Sequence, residues 1–163
     1  MFPDHLLAAA TDLLAACRGR GRRVATAESC TGGLIAALLT EIAGSSDVFE
    51  RGFVTYSNEA KRSLLRVSEA LLAQHGAVSA EVAQAMAQGA IGHSNAELAV
   101  AVTGIAGPGG GGTEEKPVGL VYIAAVCKGA ETIVEMHHFP GDRQAVRLAA
   151  VAAGMALLTR VNS

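Results

Sequence analysis

Apolar residues at Leu6, Leu7, Ala10, Leu13, Leu14 and Cys17 recur at intervals of three and four, which predicts an amphipathic helix from about Asp4 to Cys17, ended by Gly19. Val24 to Ala27 is a short apolar run, the pattern of a buried strand. Glu28-Ser29-Cys30-Thr31-Gly32-Gly33 then leads into a second helix through Ile42 that stops at Gly44. Gly52 to Tyr56 reads as a second strand, followed by a helix that opens near Ser57 or Asn58 and carries Lys61, Leu64 and Leu65. Ser68 and Ser79 have the character of N-caps of two further helices, the first stopped by Gly76. Leu98 to Thr103 forms a third strand and runs straight into a glycine-rich segment from Gly104 to Thr113. Val118 to Cys127 and Thr132 to Phe139, joined by Lys128-Gly129-Ala130, predict a β-hairpin. A last helix follows Pro140-Gly141-Asp142 and extends to about Thr159. Helices alternating with strands before a hairpin predict a three-layer α/β/α sandwich with a mixed sheet. No internal repeat or linker divides residues 1–163, so one domain is expected.

Composition narrows the function classes. Half of the 163 residues are hydrophobic, 17% are charged, and 13 Lys plus Arg face 15 Asp plus Glu. The longest stretch free of Asp, Glu, Lys and Arg, Leu98 to Thr113, is broken by six glycines and a proline, which argues against a membrane span of roughly 20 apolar residues. The first residues carry Asp4 and no basic run, unlike a secretory signal, so a cytoplasmic location is expected. Cys17, Cys30 and Cys127 are scattered and lack CxxC spacing, which supports neither a disulfide framework nor a zinc site. A formal net charge of −2 argues against a nucleic-acid binder. The one basic run, Arg18 to Arg23, is short, has no adjacent aromatics, and reads as a solvated turn.

Two nucleotide motifs fail on context. Gly107 to Gly112 matches GxGxxG, but a dinucleotide fingerprint opens a helix, and here Thr113-Glu114-Glu115-Lys116-Pro117 and another strand follow. Lys116 is not placed as a Walker A lysine. What remains is a loop leaving the end of a central strand, where open α/β sheets bind ligands, or else a tolerated connection. Ser29 sits at a strand-to-helix junction, and two roles fit it. It is an N-cap, or a nucleophile with the amides of Cys30 to Gly33 as oxyanion hole. None of His5, His75, His93, His137 or His138 is brought near Ser29 by local argument, whereas Lys61, in the first turns of the helix after the second strand, falls at the same sheet edge. Lys61 serves as a base only if desolvation lowers its pKa; otherwise it is a surface lysine paired with Glu59 or Glu28. Arg143, just after the cap Asp142, opposes the helix dipole unless an anion sits there, and a phosphate fits. Arg147, one turn on, shares that role or pairs with an acidic neighbour. Cys30, a thiol at a helix start, is the rival nucleophile.

Five ordered blocks cover nearly the whole chain: Ala27 to Gly33, Thr55 to Lys61, Thr103 to Pro108, Glu115 to Gly119, and Gly141-Asp142-Arg143. Together they resemble the CinA C-terminal domain family, whose stand-alone members include nicotinamide-nucleotide amidases. The run Gly109 to Thr113 is one glycine longer than the family pattern. The resemblance implies a three-layer α/β/α fold and hydrolysis of nicotinamide mononucleotide to nicotinate mononucleotide and ammonia, with no metal or cofactor. It makes Ser29 the nucleophile and Lys61 its base, with Tyr56 beside them; the tyrosine either hydrogen-bonds and orients the lysine or is a packed residue at the strand end. Glu28, Cys30, Thr31, Gly32, Gly33, Asn58, Thr103, Gly104 and Gly107 would form the binding surface, and Arg143 would hold the phosphate. A homo-oligomer is expected. The alternative is a non-catalytic nucleotide-binding or assembly module of the same fold.

Overall fold

The computed structural model describes residues 1–109 and 111–163; Gly110, within the glycine run, lies outside the described residues. In chain order the elements are α1 (Asp4–Gly19), β1 (Val24–Glu28), α2 (Leu34–Glu41), β2 (Phe49–Val54), α3 (Asn58–Leu65), α4 (Glu69–His75), α5 (Ala80–Gly92), β3 (Leu98–Gly104), β4 (Leu120–Cys127), β5 (Ile133–His138) and α6 (Arg143–Val161). A single 3-10 turn, Ser45–Asp47, links α2 to β2 and has no counterpart in the sequence reading.

The strands form one mixed sheet in the order β2-β1-β3-β4-β5. β1 runs parallel to both β2 and β3, and the hairpin adds β4 antiparallel to β3 and β5 antiparallel to β4. Alternation along β3 supplies two cores. Leu98, Val100 and Val102 pack with α1, α2 and α6 on one face, while Ala99 and Ala101 face α5 and Leu65 of α3 on the other. The small alanines let α5 lie close across β1, β3 and β4. The helix α6 is long and apolar enough to cross a membrane by composition, yet it lies on β3 and β4 with Val146, Ala150, Val151, Met155 and Leu158 buried.

The largest departure from the sequence reading is β2, which begins three residues earlier than Gly52 and ends at Val54, leaving Tyr56 beyond the strand. An edge strand has one partner and one solvated side, so Glu50 and Arg51 can sit in it, ion-paired at 2.7 Å, and their charges hid it. In the run Arg18 to Arg23, Arg18 binds Asp47 at 2.6 Å and Arg22 bonds both oxygens of Asn162, so two of its four arginines hold the fold together.

Candidate active site

The carboxyl ends of β1, β2 and β3 lie side by side, and each delivers one part of the site. β1 ends at Glu28, and the chain turns at Ser29, whose amide donates to Val102 O of β3 at 2.9 Å. The turn needs two successive residues at positive φ, Gly32 at 59° and Gly33 at 97°, before α2 starts at Leu34. Within it Gly32 N–H donates to Ser29 O, and Leu34 N–H donates to Thr31 O. Among the described residues the amides of Cys30, Thr31 and Gly33 donate to no carbonyl or carboxylate.

Beyond β2, Ser57 caps α3 by accepting from Ala60 N, which sets the helix so that Lys61 points inward. Lys61 is 1% exposed and is among the largest fully buried side chains. Its Nζ lies 3.0 Å from Ser29 Oγ and donates to Thr55 O at 2.7 Å. Neither Glu59 nor Glu28 reaches it: Glu59 pairs with Arg62 at 3.2 Å, and Glu28 bonds elsewhere. Burial without a carboxylate pulls the lysine from 10.5 down to about 8. Burial pushes the Cys30 thiol up to about 11, so it stays protonated where the lysine titrates. A protonated thiol is a poor nucleophile and offers the lysine no counter-charge.

Ser29 and Lys61 open onto a cavity of about 560 Å³ whose lining also includes Cys30, Tyr56, Thr103, Gly104, Gly107 and Arg143. A neighbouring cavity of about 730 Å³ shares Ala106, Pro108, Gly109 and Arg143 with it but contains neither Ser29 nor Lys61. Thr103 donates its hydroxyl to Ala77 O at 2.8 Å, tying the end of β3 to the link between α4 and α5. Gly107 sits at φ 81°, and a Cβ there would come within 2.5 Å of Val118. The exposed Arg143 bridges the rim by donating to Gly107 O and to the Tyr56 hydroxyl, each at 2.8 Å.

Several expected contacts are corrected by this geometry. Tyr56, 60% exposed, bonds Arg143 and not Lys61; the lysine is oriented instead by the Thr55 carbonyl. Glu28 and Thr31 are fully buried outside the cavity lining. The Glu28 carboxylate accepts from the Thr31 hydroxyl and from the amides of Ile35 and Ala36, serving α2 as a cap that Gly33 cannot provide. Gly32 and Gly33 shape the turn without lining the cavity, and Asn58 opens onto a separate hollow of about 380 Å³. Two further cations make contacts that the sequence does not reveal. Lys116 lines the cavity with its Nζ donating to His75 O at 2.7 Å, and Arg147 bonds the carbonyls of Cys30 and Thr31. Both are held by backbone oxygens, which leave no signature in a sequence. Among the described residues no three His, Cys, Asp or Glu side chains cluster as metal ligands.

A mixed α/β sheet carrying a buried serine–lysine pair at its carboxyl edge defines the class of architecture. Within that class the chain belongs to the CinA C-terminal domain family, whose model matches residues 7–162. It is 50% identical over 158 residues to a protein of Escherichia coli named nicotinamide-nucleotide amidohydrolase PncC, covering 97% of this chain and 95% of that protein. A CinA-like protein of Syntrophobacter fumaroxidans is 56% identical over 144 residues, covering 88% of this chain but 34% of that longer protein. The chain thus spans nearly all of one kind of relative and about a third of the other. The crystal structure of competence/damage inducible protein CihA from Agrobacterium tumefaciens superposes with a TM-score of 0.98 at 47% identity, covering 100% of this chain and 99% of that one.

Proposed function

We propose that the chain is an amidohydrolase that converts nicotinamide mononucleotide to nicotinate mononucleotide and ammonia through a Ser29 acyl-enzyme with Lys61 as base. The observation that carries the reading is the 3.0 Å approach of Lys61 Nζ to Ser29 Oγ in a cavity wall with no carboxylate on the lysine. The likeness to PncC over nearly its full length supports the substrate. Thr55 O can only accept, so it takes an N–H of the amine and leaves the lone pair of neutral Lys61 for the serine proton. As that proton moves, Ser29 oxygen bonds the carboxamide carbon and the unpaired turn amides receive the oxyanion. Collapse breaks the carbon–nitrogen bond, and Lys61 returns the proton to departing ammonia. Water then attacks the ester, Lys61 accepts its proton, and Ser29 leaves with it. The reading calls for no cofactor.

Arg143 is the assigned phosphate ligand, with guanidinium N–H groups left beyond the two bonded to Gly107 O and Tyr56. A cytoplasmic location and a homo-oligomer go with this reading. The test is ammonia release from nicotinamide mononucleotide by the purified chain. Ser29→Ala and Lys61→Ala are expected to lower kcat at least about a thousandfold while remaining folded, and Cys30→Ala to retain activity. A dead Cys30→Ala with an active Ser29→Ala would overturn the assignment of the nucleophile. Tight nucleotide binding without turnover by the unaltered chain would favour a non-catalytic nucleotide-binding or assembly module of the same fold.

A further inference from the structure

Arg147 lies one turn into α6, half-buried, and no carboxylate pairs with it among the described residues. Its guanidinium is directed at the nucleophile turn: Nε donates to Cys30 O and a terminal N–H donates to Thr31 O, both at 3.1 Å. Each carbonyl belongs to a rigid trans peptide whose N–H points the opposite way. Holding Cys30 O fixes the plane that carries Thr31 N–H, and holding Thr31 O fixes the plane that carries Gly32 N–H. Gly32 N–H in turn donates to Ser29 O at 3.0 Å, which fixes the plane that carries Cys30 N–H, the amide directly after the serine. Three successive peptide planes are therefore set from one guanidinium. The turn needs that restraint, because Gly32 and Gly33 would otherwise give it the widest backbone freedom of any residue pair.

From this geometry we infer that Arg147 is a positioning residue that pre-forms the oxyanion hole of Ser29, holding the amides after the serine in place and lending them positive potential. The inference deepens the proposed amidase reading and rests on Ser29 being the nucleophile. It differs from the phosphate role given to Arg143, since Arg147 bonds the nucleophile turn itself and does not line the cavity onto which Ser29 and Lys61 open. An oxyanion donor placed before the reaction acts on the transition state and leaves substrate affinity nearly untouched.

Arg147→Gln and Arg147→Lys are compared with the unaltered chain in two assays. The first follows ammonia release and separates kcat from KM. The second follows labelling by an alkyl fluorophosphonate, in which Ser29 oxygen bonds phosphorus, fluoride leaves and the serine proton passes to Lys61. Arg147→Gln is expected to lose about 100-fold in both kcat and labelling rate. KM should stay within about threefold, and the pH midpoint set by Lys61 should stay unmoved, because transition-state donors and not the base are disturbed. Arg147→Lys, able to hold one carbonyl, should fall between the two. If Arg147→Gln unfolds, the intermediate rate of Arg147→Lys carries the test. Arg147→Gln at the unaltered rate in both assays overturns the inference while leaving a Ser29-dependent amidase standing. Labelling that depends on Arg147 in a chain that releases no ammonia overturns the substrate and leaves the inference standing. No labelling and no turnover in the unaltered chain overturns both.

Discussion

Glu28 and Lys61 are both ionisable and both buried, at 0% and 1% exposure, the first at the end of β1 and the second on the helix that follows β2. The carboxylate receives three donors, the Thr31 hydroxyl at 2.8 Å and the amides of Ile35 and Ala36 at 2.9 and 3.1 Å, and it sits at the positive end of α2. The amine receives two neutral oxygens and no anion. A buried charge that is fully hydrogen-bonded is structural, because altering its protonation breaks what it holds. A buried amine without a counter-charge loses its proton more easily, and that readiness is what a general base requires. Burial alone therefore separates neither residue from the other; the partners do.

Lys61 gives the largest effect. If its amine is the base, kcat/KM for ammonia release should rise about tenfold per pH unit below about 8 and level off above it, since only the neutral form accepts the serine proton. Lys61→Met should abolish that release yet stabilise the fold. A lysine depressed from 10.5 to about 8 costs the folded state stability at every pH below about 8. That cost shrinks as pH rises from 8 to 10.5 and is gone above it. Methionine removes it but leaves Thr55 O without its donor, so the net gain at pH 7 should be on the order of 2 kcal/mol. Urea denaturation at pH 7 and pH 10.5 measures it. A gain that does not diminish at the higher pH would mean the amine carries no such penalty.

The other half of the comparison predicts the opposite sign. Glu28→Ala strips the cap from α2 and leaves the Ile35 and Ala36 amides and the Thr31 hydroxyl buried without an acceptor, which should cost about 3 kcal/mol of unfolding free energy in urea denaturation. Glu28→Gln keeps one acceptor oxygen and should lose less. Activity per folded molecule should fall only as far as the turn is displaced, because Glu28 does not reach the cavity. A loss of kcat far beyond the loss of folded protein would return Glu28 to the chemistry.

Periodicity made the layers legible, since α1, α5 and α6 each bury one stripe and β1 and β3 are short, mostly apolar and almost wholly buried. Ser29 and Lys61 could be matched because each follows a parallel strand, and parallel strands end on the same side of a sheet. Side-chain partners at that level were less accessible. Glu28 looked like a ligand because its acceptor role is filled by amides seven and eight residues away, and a helix that lacks a side-chain cap at Gly33 is visible only once α2 is seen to start at Leu34. Tyr56 is neither the packed strand-end residue nor the partner of Lys61 that the sequence allows: β2 ends at Val54, and the tyrosine beyond it meets α6. The roles of Thr55 O and Arg147 depend on main-chain oxygens, which every residue has.

The smallest effect concerns the cavity rim, where solvent weakens what burial strengthens below. Arg143 is exposed and already bonded to Gly107 O and Tyr56, so its grip on an anion is screened in a way that the Lys61–Ser29 contact is not. Arg143→Ala should raise KM for the mononucleotide about tenfold with little change in kcat, a loss of about 1.4 kcal/mol. Nicotinamide riboside, which lacks the phosphate, should be affected much less. The difference between the two substrates should shrink as salt is raised, because it is the charged contact that is lost. Lys116→Ala run alongside decides between the two cations lining the cavity. If it, and not Arg143→Ala, separates nucleotide from nucleoside, the phosphate lies against the loop leading to β4, and the arginine serves only to brace Tyr56 against the glycine segment.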